Sequence, residues 1–168
     1  GKYHGDMSIY KALTNSYNPP AVRVLKLQQD DDGTFSTVLN FARDTLKLSS
    51  LQDDDKNGLA PLSLGALSKG VTVLEMTRAF SVYANKGTFT DSRSYTRVES
   101  YSGKTVLQKD VSKQSVYSEQ TAYLMTYTLE NVVAETYFGR AAKVYGVETA
   151  GKTGTTSFYN DRWFIGYT

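Results

Sequence analysis

Apolar residues recur at intervals of three and four along much of the chain and alternate with polar ones elsewhere, so the pattern asks for both helices and strands. Gly1 to Met7 reads as an incoming loop. Ser8 followed by Ile9, Ala12 and Leu13 then predicts a short capped helix over residues 9–14. The period breaks at Asn15-Ser16-Tyr17-Asn18, and Pro19-Pro20 enforces the break, because proline disfavours helix at the preceding residue yet suits a helix's first turn. A second helix should begin there and run through Ala21, Val24, Leu25 and Gln28, leaving Ser16 and Asn18 exposed on a rigid connection. After a turn at Asp30-Asp31-Asp32-Gly33, Phe35, Val38, Leu39, Ala42 and Leu46 predict a third helix over 34–46.

A longer helix is predicted over 71–86. Thr72 and Glu75 form a capping box, Val71 can staple onto Met76, and Gly87 stands where the helix should stop. Its buried face would be Val73, Met76, Phe80 and Tyr83. Between Thr88 and Lys109 the composition turns β-branched and aromatic, and Ser102-Gly103 suits a hairpin turn between strands over 96–101 and 105–108. Ser118 caps a further helix carrying Ala122, Met125, Leu129, Val132 and Val133, followed by a loop around Phe138-Gly139. Two last strands, 147–155 and 162–168, are joined by the short polar connection Thr156 to Asp161.

Composition narrows the function classes. A chain of 168 residues with 40% hydrophobic content is enough for one domain with a proper core. A formal net charge of +2, without basic clusters interleaved with aromatics, argues against nucleic acid. No run is long and apolar enough for a membrane span, and the absence of cysteine excludes disulfides and thiolate metal sites. Asp53, Asp55, Asn57 and Gly58 imitate the start of a calcium loop, but Leu64 stands at the twelfth position where a bidentate glutamate belongs, so a solvated acidic turn is the reading. His4, the sole histidine, reads as a solvated loop residue.

The stretch with chemistry is Gly151-Lys152-Thr153-Gly154-Thr155-Thr156, which reads as a strand built to hold a carboxylate. Lys152 brings a positive charge, Thr153 and Thr155 point to one side, and Gly151 and Gly154 would let a ligand approach the backbone. Together with Ser16-Tyr17-Asn18, this Lys-Thr-Gly run stands in the order of the S-x-N and K-T-G signatures of penicillin-binding transpeptidase domains, which the chain resembles. The resemblance extends from about Asp6 to Thr168. Ala12-Leu13 with Ser16 to Arg23 is similar to the "AL…S-x-N…PAV" stretch of the bifunctional, class A enzymes. Val71 to Met76 with Tyr83 to Gly87 resembles their "VTPLEMA…YA…FANGG" helix, and Gly151 to Thr156 with Asp161 to Thr168 resembles "GKTGTT…DAWFVGYT".

The resemblance implies an α+β fold of the β-lactamase/transpeptidase type, a helical subdomain beside an antiparallel sheet. Residues 1–168 would form part of that domain: a helical part over about 8–87, a hairpin over about 95–109, a helix over about 118–134 and the K-T-G hairpin over about 147–168. The sheet's first strands, the S-x-x-K helix and the last strand and helix are expected outside the chain. The implied activity is D,D-transpeptidation of peptidoglycan, in which a serine takes the acyl group of a D-Ala-D-Ala stem peptide and passes it to a neighbouring amine. β-Lactams would imitate the donor. No cofactor and no metal is called for. Carried over by position, Ser16 would relay a proton, Asn18 would orient the donor and Lys152 would raise the positive potential. Thr153 and Thr155 would grip the terminal carboxylate, with the Thr155 N–H as an oxyanion donor, and Gly154 would leave the donor room. The parent protein would be membrane-anchored and act on the extracytoplasmic face of a bacterial membrane.

One departure matters. The family's nucleophile and lysine base lie on a helix well upstream of S-x-N, whereas the only S-x-x-K here is Ser8-Ile9-Tyr10-Lys11, on the helix leading directly into Ser16. Ser8 aligns with a helix-cap position, so the nucleophile is expected outside the chain, and the isolated chain is expected to be inactive. Two alternatives share the motifs: a non-catalytic module binding D-Ala-D-Ala or β-lactams, and a β-lactamase or D,D-carboxypeptidase. The tandem threonines and the tryptophan of the last strand resemble the bifunctional transpeptidases more closely.

Overall fold

The computed structural model describes residues 4–168, so residues 1–3 of the expected incoming loop lie outside the described residues. Helix α1 spans Ile9–Thr14, and the Ser8 hydroxyl caps it by accepting the Lys11 N–H at 3.2 Å. Of its predicted apolar face only Ala12 is buried, together with Thr14, while Ile9 points outward. Ser16 takes the left-handed position after the helix (φ 56°), with its N–H on Leu13 O at 3.0 Å and the Tyr17 N–H on Ala12 O at 2.9 Å. These are the two bonds of a Schellman ending, usually built on glycine. Helix α2, Asn18–Lys26, starts one residue before the expected Pro19, within the latitude of any helix end.

The helix predicted over 34–46 divides into α3, Ser36–Asn40, and a wider π turn over Phe41–Thr45, where the Leu46 N–H reaches Phe41 O at 3.2 Å. The acidic stretch read as a turn holds a 3-10 turn over Asp53–Asn57 and helix α4, Leu59–Leu64. Its Asp55 is buried rather than solvated and accepts the Gln52 N–H and both the N–H and hydroxyl of Ser68, each at 2.8 Å.

Helix α5, Val73–Ala84, keeps the expected capping box, but its buried face is Glu75, Ala79 and Val82, while Val73 is exposed. The reason is Glu75. Its carboxylate turns inward to accept the Ser49 hydroxyl at 2.7 Å, the Ser50 N–H at 2.9 Å and the Thr72 N–H and hydroxyl at 2.8 Å, which fixes the helix's rotation. Around this hub Leu39, Leu48, Leu51 and Ala79 form the core of the helical part.

Strand β1, Thr88–Thr90, does not lead into a simple hairpin. It pairs antiparallel with β4, Lys113–Ser115, across the exposed ribbon of β2, Arg97–Glu99, and β3, Thr105–Gln108. Helix α6, Glu119–Glu135, buries Ala122, Leu129, Val132 and Val133, and the region read as a loop around Phe138-Gly139 is the short helix α7, Tyr137–Ala141, capped by Thr136. The last hairpin joins β5, Ala150–Thr155, to β6, Arg162–Tyr167, with Ala150 opposite Tyr167 and Thr155 opposite Arg162. It lies on α6, where the Tyr167 and Thr126 hydroxyls meet at 2.8 Å, and α1 packs on α6 too, with Tyr10 stacked on Tyr127. One long helix therefore carries both the first bend and the last strands.

Candidate functional site

Strand β5 and the bend after α1 meet at Lys152. Its Nζ donates to Ser16 Oγ at 2.8 Å and to its neighbour's carbonyl, Thr153 O, at 2.9 Å, joining groups 136 residues apart in sequence. The ammonium is partly removed from water, and burial pulls the Lys152 pKa below the ordinary lysine value. Ser16 stays exposed at the bend. Its left-handed backbone is unfavourable for a residue with a side chain, and such conformations gather where a side chain must be aimed.

Asn18 opens α2, two residues on, and is also exposed. Among the described residues no hydrogen bond links its side chain to β5, so the structure unites Ser16 with Lys152 and leaves Asn18 beside them. Tyr17, between the two, stacks on His4 with ring centroids 4.8 Å apart; His4 is exposed in a loop, as expected, and the stack is an addition to that reading.

Along β5, Thr153 faces Phe164, Gly154 faces Trp163 and Thr155 faces Arg162. Alternation puts Thr153 and Thr155 on one face of the hairpin and Lys152 on the other. The two glycines separate in role. A β-carbon on Gly154 would meet nothing within 4 Å, whereas one on Gly151 would stand 2.3 Å from Phe164 Cζ and 2.7 Å from Ile165 O. Gly154 therefore leaves open space. Gly151 is small because the Phe164 ring lies across it, which corrects the expectation that it admits a ligand.

The hairpin's connection is held by the Thr156 N–H on Asp161 O at 3.1 Å and the Asp161 N–H on Thr156 Oγ1 at 2.9 Å, and the Arg162 guanidinium sits 4.6 Å from the Tyr159 ring centre. Sequence reasoning missed these supports, as it missed Phe164 and the Thr126–Tyr167 bond. A cleft of about 290 Å³ behind β5, lined by Tyr83, Glu130, Glu148 and Tyr167 among others, contains neither Ser16 nor Lys152. Within it, burial and then the Glu148 charge push the Glu130 carboxyl up.

Ser8 is engaged as the cap of α1. Chemically, the arrangement offers a part-buried ammonium bonded to an exposed hydroxyl, next to a strand with two hydroxyls and one open glycine.

Comparison with known proteins bears on this arrangement. The family described as the penicillin binding protein transpeptidase domain matches residues 1–168. Penicillin-binding protein 1A of Clostridium botulinum is 32% identical over 167 residues, covering 99% of this chain and 19% of that relative. The chain thus spans about a fifth of the relative's length. Among solved structures, the D,D-transpeptidase domain of a peptidoglycan glycosyltransferase from Eggerthella lenta superposes with a TM-score of 0.76 at 20% identity, over 98% of this chain and 46% of that one. Penicillin-binding protein A of M. tuberculosis, in its imipenem acyl-enzyme complex, does so with 0.75 at 18% identity, over 97% of this chain and 40% of that one. These likenesses establish the α+β transpeptidase fold.

Proposed function

The chain belongs to the penicillin binding protein transpeptidase domain family, and from that premise we propose that the whole protein is a serine-type D,D-transpeptidase of peptidoglycan synthesis, inhibited by β-lactams. In the proposed reaction a serine oxygen attacks the carbonyl carbon of the D-Ala-D-Ala amide. The C–N bond breaks and D-alanine leaves with a proton. An amine of a neighbouring stem peptide then displaces the serine from the acyl group. The serine is assigned to an S-x-x-K helix of the full protein and not to Ser8.

The observation that carries this reading is the contact between Lys152 Nζ and Ser16 Oγ at 2.8 Å. Because the ammonium is the donor there, Ser16 accepts on its oxygen and keeps its own hydrogen free to move toward the leaving amine. Partial burial supports a relay, since it makes the lysine readier to give up its proton. Asn18 would orient the donor peptide, and Thr153 and Thr155 would hold its terminal carboxylate. Gly154 would keep the approach open, and the Thr155 N–H would serve the oxyanion. The site is proposed to work on the extracytoplasmic face of the membrane, held there by an anchor of the full protein. No helix among the described residues is long and apolar enough to cross a membrane.

Labelling of the full protein by a fluorescent penicillin tests the assignment. The wild type should form a covalent adduct, and Ser16→Ala and Lys152→Ala should acylate about 10²-fold more slowly. Unchanged rates in both variants would remove these residues from the mechanism. A stem-peptide assay with an acceptor amine separates transfer from hydrolysis, because a carboxypeptidase or β-lactamase leaves no cross-linked product.

A further inference from the structure

Away from Ser16 and Lys152, a second cleft of about 300 Å³ opens between the π turn, α5 and the β1–β4 pair. Its charge is one-sided, with Arg43, Lys47 and Arg78 on its walls against Asp91 alone. Both guanidiniums are only partly committed. Arg78 Nη1 bonds Asp91 Oδ1 at 2.9 Å, and Arg43 Nη2 bonds Asp53 Oδ1 at 2.8 Å. The Asp53 side chain is 80% exposed and lies outside the cleft lining. The Nε–H groups of both arginines are buried and have no acceptor among the described residues. These two donors are sealed from solvent, so an anion in the cleft would meet the Nη–H groups that the Asp53 and Asp91 pairs leave over.

The backbone supports the same conclusion. Arg43 is carried on the π turn, a helix irregularity that concentrates at functional sites. Lys47 follows it in the left-handed region with φ 58°, an unfavourable conformation for a residue with a side chain. Two unusual pieces of backbone thus bring cations to one cavity.

We propose that this cleft binds a phosphate group, either inorganic phosphate or a phosphate ester. A single guanidinium fork would satisfy a planar carboxylate. Here two arginines and a lysine line one cleft from separate elements, with Ser112 and Gln114 on a further wall, and a tetrahedral anion has oxygens for all of them. The bound group would tie the π turn to α5 and to β4, independently of the transpeptidase chemistry.

Inorganic phosphate titrated into the full protein, followed by calorimetry and by phosphorus NMR line broadening at constant ionic strength, tests the proposal. Wild type should bind saturably. Lys47→Asn is the informative variant, because asparagine tolerates the left-handed region, and it should weaken binding about tenfold while leaving penicillin acylation unchanged. Adding Arg43→Gln should abolish binding. No saturable binding by the wild type, or equal binding by the double variant, would overturn the proposal. Vesicles of phosphatidylglycerol in phosphatidylcholine, compared with phosphatidylcholine alone, identify the source. Sedimentation with the anionic vesicles that the double variant loses assigns the site to a lipid headgroup. Saturable phosphate binding without vesicle binding assigns it to soluble phosphate.

Discussion

Ser16 holds a position that glycine would fill more comfortably, since it ends α1 with φ 56° and makes one of the two Schellman bonds, Tyr17 making the other. Ser16→Gly is therefore expected to stabilise the protein by about 1 kcal/mol, raising the unfolding midpoint by about 2 to 4 °C, while acylation by penicillin falls about 10²-fold. Calorimetry and a labelling time course on the same sample check both halves. A variant less stable than wild type would show that the hydroxyl's bond to Lys152 outweighs the backbone cost. The two strand glycines make a matched pair. Gly151→Ala meets the Phe164 ring at 2.3 Å and should destabilise the hairpin by about 1 to 3 kcal/mol, whereas Gly154→Ala meets nothing within 4 Å and should fold normally but acylate slowly. Equal stabilities measured by urea unfolding would contradict this division. Lys152, Ser16 and the glycines were legible as motif letters. The distinction between Gly151 and Gly154 was not, because it depends on which β6 side chain the register lays across each of them.

At the scale of elements, helices with local punctuation were the readable ones. The capping box of α5 and the serine caps of α1 and α6 stand where the sequence puts them, because a cap needs only residues three positions apart. The helix at the prolines was also legible, its start to within one residue and its end to within two. Short helices such as α4 and α7 escaped, since five or six residues hold too little of a 3.6-residue period to be read. The β1–β4 pairing escaped because its partners are separated by another hairpin. Gly87 shows how such distant pairing leans on a local signal. It follows α5 with φ 85°, and its carbonyl accepts the Val116 and Tyr117 N–H groups at 2.8 and 3.0 Å, so the stop of one helix is also the docking point for the chain entering α6. A β-carbon there would stand 2.1 Å from Tyr117 O. Gly87→Ala should accordingly cost about 2 to 3 kcal/mol, more than the roughly 1 kcal/mol expected for a helix-ending glycine alone. Native-state hydrogen exchange should show lost protection at Val116 and Tyr117. Protection retained at both would mean that the glycine serves only the helix end.

For the whole molecule, the helical part is organised around two buried carboxylates that sequence reasoning treated as a capping residue and a solvated turn. Glu75 gathers the loop at Ser49 and Ser50 to the start of α5, and Asp55 gathers Gln52 to Ser68. Burial alone would push both carboxyls up. The hydrogen bonds from Ser50, Thr72 and Ser49 outweigh it at Glu75, which is held far below the usual carboxylate range, and those from Ser68 and Gln52 outweigh it at Asp55, which is lowered too. A carboxyl depressed on folding contributes stability that is fully present above its unfolded value, here 4.5 for Glu75 and 3.8 for Asp55, and that is lost as pH falls toward the folded one. Unfolding free energy should therefore be nearly flat from neutrality to about pH 5 on account of these groups, and should then decline. Glu75→Gln keeps the shape but replaces an acceptor of charge-assisted bonds, so it should lower stability near neutrality by about 2 to 3 kcal/mol and flatten the acid decline. Urea midpoints across that pH range distinguish the cases. If wild type and variant declined in parallel below 4.5, the acid sensitivity would belong to other carboxyls, and the hub at Glu75 would hold the loops by packing rather than by charge.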